Sequence, residues 1–245
     1  MQKKLAYIFM TFDTLSEYHL DKSLESFNNQ DKSFIDTFII YNNSTIFSDE
    51  QIKSRVEFDN VIVYDNKLPS DKRMVSDITT HLHLITGYDI YFLHKADFYI
   101  PSHLVEYVYN SLDNSEPIFL NFSKFDMRED IREDRIQELG LPDFNTFLDV
   151  CELNEASKDT NGLTLEHRLI GYRGHDGSMH AYNELGRKTL HFDNFIHPED
   201  WQNNINRGVK MLRSIPEAFC YHLWHDIGKR SDGARLGKNV VGHRF

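Results

Sequence analysis

The chain has 245 residues, of which 40 % are hydrophobic, and it contains 12 Tyr and 18 Phe. This composition can build a sizeable buried core and argues against a disordered protein. The formal net charge of −11 disfavours a protein that coats nucleic acid by bulk electrostatics. The two cysteines fit neither a disulfide framework nor a zinc motif, and no apolar run approaches the roughly 20 residues of a membrane span. We therefore expect a soluble, cytoplasmic protein.

The first half of the chain alternates between strand and helix signals. Short apolar runs predict buried strands, and apolar residues at helical spacing predict helices. In chain order, the predicted elements are a strand at 5–10, a helix at 18–29, a strand at 34–41, a helix beginning at 48–51, a strand at 61–64, a helix at 70–86, a strand at 88–93 and a helix after residue 101. Gly87 is placed to end the helix before it. This alternation predicts an α/β fold with a mainly parallel, doubly wound sheet flanked by helices.

The middle of the chain has a different character. Residues 125–140 are heavily charged and predict a solvated helix, with a lid or an acceptor-side helix as the alternative. Residues 155–178 are polar, end in three closely spaced glycines and predict a loop. No linker composition separates the two regions, so we expect one domain.

The residues that follow the predicted strands are the first candidates for a functional site, because ligands of such sheets bind at the carboxyl ends of the strands. These residues are 11–13, 42–44, 65–67 and 94–97. The sequence contains no GxGxxG or GxxxxGK[ST] phosphate loop and no GxSxG nucleophile elbow. The motifs of dinucleotide-binding Rossmann domains, P-loop enzymes and α/β-hydrolases are therefore absent.

Four segments, taken in order, resemble motifs of the GT-A glycosyltransferases. They are LESFNNQ at 24–30, YDIYFLHKADFYIP at 88–101, HPEDWQNNINRG at 197–208 and IPEAFCYHLWH at 215–225. The second segment occupies the place of the family's DxD strand, and the third resembles the xED motif of inverting members. The fourth places a histidine after an Ile-Pro strand, where related enzymes bind a metal. The resemblance implies sugar transfer from a nucleotide-sugar donor by a GT-A fold with a smaller acceptor-side region at its C-terminal end, with 1–100 as the nucleotide-binding half and 101–245 as the acceptor-binding half.

The resemblance assigns a divalent ion, Mn²⁺ or Mg²⁺, to Asp97 and His222. Oxygen and imidazole ligands suit such an ion, which neutralises charge on a diphosphate leaving group. The family usually has two aspartates around one residue, whereas this chain has His94-Lys95-Ala96-Asp97. Either Asp97 holds the ion with the distant histidine, or Lys95 replaces part of its charge in a metal-free mechanism. Purely structural roles, with Asp97 as a turn cap and His222 as a buried histidine, also stay open.

Glu199 and Asp200 are the catalytic candidates that the resemblance implies. Asp200 is the expected general base, which would deprotonate the acceptor hydroxyl for direct displacement with inversion, while Glu199 holds the acceptor or orients the base. In retaining members the pair would contact the donor sugar instead. Pro198 fits the first turn of a helix, where acidic residues are also common as simple caps, so a structural role for the pair is the alternative.

The resemblance also implies contacts with both substrates. The expected donor-binding residues are Thr11, Phe12, Asp13, Asn42, Asn43, Arg73, Lys95, Asp97 and His225. Phe12 is placed to stack on the base, and an asparagine after the second strand is compatible with uracil, so a UDP-sugar is the expected donor. The expected acceptor-binding residues are Gly177, Ser178 and Trp201, with Gly177 allowing close approach of a sugar to the backbone.

Two other functions remain open from the sequence. A nucleotidyltransferase shares the sheet but needs a glycine-rich, basic loop where this chain has residues 11–14, which carry neither glycine nor a basic residue. A non-catalytic sugar- or partner-binding relative is the second alternative, because one aspartate is missing near Asp97. The acceptor (glycan, protein, lipid-linked saccharide or modified DNA) and the oligomeric state also stay open. The glycosyltransferase prediction requires Asp97, His222 and Asp200 to converge in one cleft.

Overall fold

The computed structural model describes residues 2–13, 15–65, 84–127, 171–190, 204–213 and 219–223, without the side chains of 123–127, 171–178, 211, 213 and 219. Five predicted site residues lie outside the described residues; they are Arg73, Glu199, Asp200, Trp201 and His225. The helix predicted at 70–86 lies outside them as well, up to residue 83. Within the described ranges, no helix is both long and apolar enough to cross a membrane.

The described elements are nine strands and four α-helices. The strands are β1 (Leu5–Phe12), β2 (Thr37–Asn43), β3 (Val61–Val63), β4 (Ile90–Lys95), β5 (Phe98–Tyr99), β6 (Ile118–Met127), β7 (Gly171–Asn183), β8 (Lys210–Arg213) and β9 (Phe219–His222). The helices are α1 (Glu17–Asn28), α2 (Asp49–Lys53), α3 (Leu104–Ser111) and α4 (Glu184–Thr189). A 3₁₀ turn at Lys32–Phe34 precedes β2.

All nine strands belong to one mixed sheet. Its order is β3-β2-β1-β4-β7-β6-β9-β5, with β8 paired to the first half of β6. The strands β3, β2, β1 and β4 run parallel to one another, and β7 runs antiparallel to both β4 and β6. The prediction of a mainly parallel α/β sheet with flanking helices is confirmed. The carboxyl ends of β1, β2 and β4 consequently meet at one edge.

The two faces of the sheet carry separate apolar clusters, because side chains alternate along each strand. Tyr7 and Phe9 of β1 and Phe92 of β4 point to one face, which packs against α1 and α3. Three apolar residues at helical spacing in α3 and at its end are fully buried on this face; they are Leu104, Val108 and Leu112. The opposite face buries the alternate residues, which include Ala6, Ile8, Met10, Tyr91 and Leu93.

Local signals set several boundaries as predicted. Ser48 begins α2, where its hydroxyl accepts from the Gln51 backbone N–H at 3.1 Å while the Gln51 side chain accepts from the Ser48 N–H at 2.8 Å. Gly87 adopts a φ of +100°, a conformation that strains residues with a Cβ, in the turn before β4. The helix that it was expected to end does not include residues 84–86, which are not helical, and residues 70–83 lie outside the described ranges. By contrast, β2 begins at Thr37 and not at the predicted residue 34, because Asp31 caps the 3₁₀ turn that contains Phe34.

Two expectations for the middle of the chain are wrong. Residues 125–127 belong to β6 instead of a helix, and residues 171–178 belong to β7 instead of a loop. The two segments pair with each other, from Met127 opposite Gly171 to Ser123 opposite His175. The pairing partner of each strand lies more than 40 residues away in sequence. Local composition therefore carries little information about this ladder.

Candidate functional site

The carboxyl ends of β2, β1 and β4 bring together the candidate nucleotide residues. Thr11 lies opposite Asn42 in the ladder, and Phe12 lies opposite Asn43. On the other side of β1, Met10 lies opposite Lys95. Because side chains alternate, Asn42 and Asn43 point to opposite faces of the sheet. Thr11 lies on the Asn42 side, and Phe12, the last residue of β1, packs against the apolar cluster that contains Tyr7 and Phe9. The two ladder pairs therefore have different surroundings.

The Asn42 side chain holds the loop after β2 in place. Its Oδ1 accepts from the Thr11 hydroxyl at 2.6 Å and from the Ser44 backbone N–H at 3.0 Å. Its Nδ2 donates to the Phe47 carbonyl and to Asp49 Oδ1, both at 2.8 Å. An asparagine amide has two donors and two main acceptor positions, and all four are used here. Asn42 and Thr11 therefore support the site from within the protein.

Asp13 likewise ties two loops of the site together. Its Oδ1 accepts from the Thr45 hydroxyl at 3.0 Å and from the Thr45 backbone N–H. The chain after β1 is thereby fixed to the chain after β2. This contact positions the backbone on either side of the edge where Phe12 and Asn43 lie.

Asn43 and Phe12 form the other pair, opposite each other at the ends of β2 and β1. Asn43 is only 4 % exposed, and its Nδ2 has no hydrogen-bond partner in the described part of the chain. A buried donor without a partner costs free energy, so such groups commonly serve a bound ligand. Phe12 is half-buried, with the Lys95 ammonium 5.4 Å from its ring centroid.

Asp97 and His222 meet although 125 residues separate them in sequence. Asp97 lies in the turn between β4 and β5, and His222 is the last residue of β9, opposite Phe98 of β5. The Asp97 carboxylate is fully buried, and its Oδ2 lies 3.1 Å from His222 Nε2, which is 18 % exposed. The Leu223 backbone N–H also donates to the Asp97 carbonyl at 2.8 Å. The pairing of the strands thus places the two predicted metal ligands within 3.1 Å of each other.

Lys95 lies beside this pair as a buried cation. Its Nζ is 3.6 Å from Asp97 Oδ2, and the side chain is only 4 % exposed. The ammonium also lies 5.7 Å from the ring centroid of Phe98, which stacks on the His222 ring at 4.8 Å. Cation–π contacts of this length are attractive. Lys95, Asp97 and His222 together form what we call the charged triad, which borders the Phe12–Asn43 pair.

His94 supports the triad from the opposite face of β4. Its Nε2 lies 2.9 Å from the Phe98 carbonyl and 3.0 Å from Ser23 Oγ, and its Nδ1 contacts the Tyr7 hydroxyl. A carbonyl only accepts, so Nε2 carries the proton and Tyr7 donates to Nδ1. Burial lowers the pKa of His94 to about 4, which keeps the ring neutral. The bond to Phe98 bridges the turn that presents Asp97.

The donor set of Asp97 and His222 fits a divalent ion such as Mn²⁺ or Mg²⁺. Neighbouring ligands of an octahedral ion with bonds of about 2.1 Å lie about 3 Å apart, which agrees with the separation of Oδ2 and Nε2. In the described residues, no group of three or more His, Cys, Asp or Glu side chains could hold a metal. Two protein ligands are common for Mg²⁺, whose other positions are usually filled by waters and substrate phosphates.

The predicted acceptor residues Gly177 and Ser178 lie in β7. The ladder with β6 shifts register there, since Asn121 pairs with His180 whereas Ser123 pairs with His175. Residues 176–179 therefore form an irregular stretch opposite a single residue of β6. Such irregularities frequently border functional sites because they bend a strand. The adjacent Met179 accepts from the Lys95 backbone N–H at 3.2 Å, which places this stretch beside the triad.

Sequence reasoning missed the supporting residues of the site, above all His94, Phe98 and Met179. His94 had no usable local signal, since the position of the missing acid in a DxD motif that ends at Asp97 is that of Lys95. Its partners Tyr7 and Ser23 come from other elements, so no local pattern reveals them.

No protein-family model matches the chain, and no curated protein sequence matches it either. Among solved structures, S. aureus TarS 1–349 is similar with 13 % identity and a TM-score of 0.51, over 90 % of this chain and 60 % of that chain. A mycobacterial protein is similar with 10 % identity and a TM-score of 0.52, over 98 % and 72 %.

A third solved structure is glucosyl-3-phosphoglycerate synthase from Mycobacterium tuberculosis in complex with Mn²⁺, UDP and phosphoglyceric acid. It is similar with a TM-score of 0.47. Its identity to this chain is 11 %, over 98 % of this chain and 76 % of that one. The chain spans 60 % of the length of the TarS fragment. At such low identities the likeness to TarS and to the mycobacterial protein concerns the fold alone. The fold is that of the nucleotide-diphospho-sugar transferases, the GT-A fold.

Proposed function

We propose that the chain is a glycosyltransferase that takes a sugar from a UDP-sugar and transfers it to an acceptor hydroxyl. The convergence of Asp97 and His222 at the carboxyl edge of the sheet carries this proposal. Open α/β sheets bind ligands at this edge. Lys95, which neighbours Asp97, approaches the ring of Phe12, the ladder partner of Asn43. The Asn43 amide Nδ2 has no hydrogen-bond partner among the described residues. The GT-A fold supports a nucleotide-sugar substrate as the ligand.

The nucleoside would bind over the ends of β1 and β2. Phe12 offers a half-buried ring for stacking against the base, and aromatic stacking tolerates any base. Asn43 Nδ2 is a donor and would donate a hydrogen bond to a carbonyl oxygen of the base. Uracil presents carbonyl oxygens at two positions of its ring. A donor amide at this place therefore favours a uracil nucleotide.

The diphosphate would bind at the charged triad. Cleavage of the glycosidic bond places negative charge on the diphosphate oxygens, and Lys95 offers a positive charge and N–H donors in a largely dry environment. Asp97 and His222 are the residues that would hold a divalent ion. Such an ion, when bound, neutralises charge on the leaving group as a Lewis acid.

Asp200 is the proposed general base, with Glu199 as its neighbour at the acceptor. Both residues lie outside the described ranges, and their roles rest on the motif HPEDWQNNINRG. Asp200 would remove the proton of the acceptor hydroxyl as the oxygen attacks the anomeric carbon, which inverts its configuration. Gly177 and Ser178, at the irregular stretch of β7, and Trp201 are the proposed acceptor contacts. Replacing Asp200 by Asn should abolish turnover of a UDP-sugar, whereas unchanged turnover would remove this residue from its role.

A calorimetric titration of nucleotides tests the proposal. We expect UDP with Mn²⁺ to bind more tightly than CDP, GDP or ADP with Mn²⁺. Asp97→Asn should weaken the binding of UDP with Mn²⁺ by about tenfold or more, since a ligand charge is lost. Asp59→Asn is the matched control, because Asp59 is exposed at the amino edge of the sheet before β3. The absence of binding by every nucleoside diphosphate, with and without metal, would refute the proposal.

A further inference from the structure

The charged triad contains a cation that is not fully used by the protein. Lys95 is nearly buried, and burying an ammonium is costly unless its charge and its N–H donors are matched. Asp97 Oδ2 matches the charge, but at 3.6 Å it is beyond hydrogen-bond distance. Among the described residues the donors of Nζ therefore have no hydrogen-bond acceptor, and they are available to an oxyanion that enters the site.

A buried ion pair of this kind is not explained by stability. The desolvation of two charges often exceeds their mutual attraction, so an apolar pair in the same place is frequently as stable or more so. The rings of Phe12 and Phe98, which lie 5.4 and 5.7 Å from Nζ, would accommodate an apolar side chain. The charge of Lys95 is thus better explained by a ligand than by folding.

The position of Lys95 has opposite consequences for two ligands. A divalent cation that approaches Asp97 and His222 is repelled by the ammonium, and it meets a carboxylate whose charge is already balanced. A diphosphate carries several negative charges, so it is attracted by the same ammonium and can bind its free donors. Once the diphosphate is bound, the local charge is negative, and this charge attracts a divalent cation to Asp97 and His222.

We propose that Lys95 acts as a built-in cation of the diphosphate subsite, which binds the diphosphate directly and keeps divalent ions from Asp97 and His222 until the nucleotide is bound. This inference rests on the proposed function, because it takes a nucleoside diphosphate as the ligand. It predicts that nucleotide and metal bind cooperatively. It also predicts substantial nucleotide binding in the absence of any metal.

Two titrations of the full chain with Lys95→Met test the inference. In buffer with EDTA, calorimetry should show UDP affinity reduced about tenfold or more relative to the wild type. Without nucleotide, the electron paramagnetic resonance signal of free Mn²⁺ should show Mn²⁺ affinity increased by about tenfold or more. The two changes have opposite signs, which general damage to the site would not produce.

Two further variants serve as controls. Lys95→Arg keeps the charge and should keep both affinities within about threefold of the wild type, since the fork of Arg still reaches an oxyanion. Lys4→Met makes the same substitution at an exposed lysine before β1, at the opposite edge of the sheet, and should change neither affinity.

The outcomes separate this inference from the proposed function. If UDP binds the wild type and Lys95→Met equally in EDTA, the inference is wrong and the proposed function stands. If no nucleoside diphosphate binds the wild type, the proposed function fails and the inference fails with it. If Lys95→Met does not fold, the Mn²⁺ affinity of the wild type with and without UDP tests the inference. Equal affinities overturn the inference. A much higher Mn²⁺ affinity in the presence of UDP supports it.

Discussion

His94 and Lys95 are consecutive residues at the end of β4, both buried, and they face opposite sides of the sheet. Both ring nitrogens of His94 are engaged, with Tyr7, Ser23 and the Phe98 carbonyl, and burial keeps its pKa low enough for a neutral ring. The Lys95 Nζ has only the Asp97 carboxylate beside it among the described residues, at 3.6 Å, which is too far for a hydrogen bond. The hydrogen-bonding groups of His94 are matched within the protein, whereas we propose that those of Lys95 are matched by a ligand.

The contrast separates structural polar groups from functional ones. A buried polar group whose donors and acceptors are all matched stabilises the fold and has nothing left to offer a substrate. A buried charge with unused donors is costly and points to a binding partner. The same distinction divides Asn42 from Asn43 on β2. The following predictions test this division, from the largest expected effect to the smallest.

Replacing Asp97 by Asn should have the largest effect of all the substitutions, and it should act mainly on the turnover of a UDP-sugar. We expect turnover of a UDP-sugar to fall about 100-fold or more, because a preorganised charge at the reacting diphosphate is lost. The unfolding free energy should also fall by about 3–5 kcal/mol, because Lys95 is left as a buried charge without its partner. Urea denaturation and donor turnover measure the two effects.

The double variant Asp97→Asn with Lys95→Met separates these two effects. Removing both charges should recover most of the stability that Asp97→Asn loses, while turnover stays low. Recovery of turnover in the double variant would show that the triad acts through folding alone and would contradict the distinction drawn here.

On the structural side, lowering the pH should destabilise the protein through His94. Burial lowers the pKa of this histidine from its usual 6.5 to about 4 in the folded state. The unfolded chain therefore takes up a proton at a higher pH than the folded chain does. The His94 contribution is complete above about pH 6.5 and is lost as the pH falls toward 4, at up to about 1.4 kcal/mol per pH unit.

Comparing wild type with His94→Gln isolates this contribution, since the carboxylates are common to both. The difference in unfolding free energy between them should shrink as the pH falls from 6.5 to 4. A difference that is independent of pH would show that His94 is not held neutral.

Removing the Tyr7 hydroxyl tests the same network without altering a charge. Tyr7→Phe leaves His94 Nδ1 as a buried acceptor without a donor, so we expect a loss of about 1–3 kcal/mol of unfolding free energy. UDP affinity should stay within about twofold, because the hydroxyl is bonded to His94 and not to Lys95, Asp97 or His222. A loss of UDP affinity without a loss of stability would contradict the structural role given to Tyr7 and His94.

The adjacent asparagines of β2 give the smallest and most closely matched pair of effects. Asn42→Ala removes four hydrogen bonds and should cost about 1–3 kcal/mol of stability. Asn43→Ala removes an amide donor without a described partner, so stability should change by about 0.5 kcal/mol or less while UDP affinity falls about tenfold. Equal effects of both substitutions on both quantities would mean that alternation along β2 does not separate them.

Sequence reasoning was most successful where local patterns decide the structure. The apolar runs at β1 and β4, the capping box at Ser48 and the left-handed Gly87 all follow from short-range chemistry. It failed for β6 and β7, because charged and glycine-containing segments become strands only through each other. Pairing across such distances depends on the whole sheet, which no local window contains.

The candidate site shows the same division. The sequence identified Asp97 and His222 by resemblance, and the sheet brings them to 3.1 Å. The sequence could not separate Asn42 from Asn43, since that requires the strand register and the partners of each amide. It named Lys95 as a possible replacement for part of the ion's charge, but it could not give the 3.6 Å distance between the Lys95 Nζ and Asp97 Oδ2. Glu199, Asp200, Arg73, Trp201 and His225 stay predictions.

The most direct test of the central claim is an anomalous difference map at the manganese edge from crystals grown with UDP and Mn²⁺. We predict one strong peak within about 2.2 Å of both the Asp97 carboxylate and His222 Nε2, with the diphosphate of UDP between this ion and Lys95. UDP bound elsewhere on the chain, with no manganese between Asp97 and His222, would contradict the account.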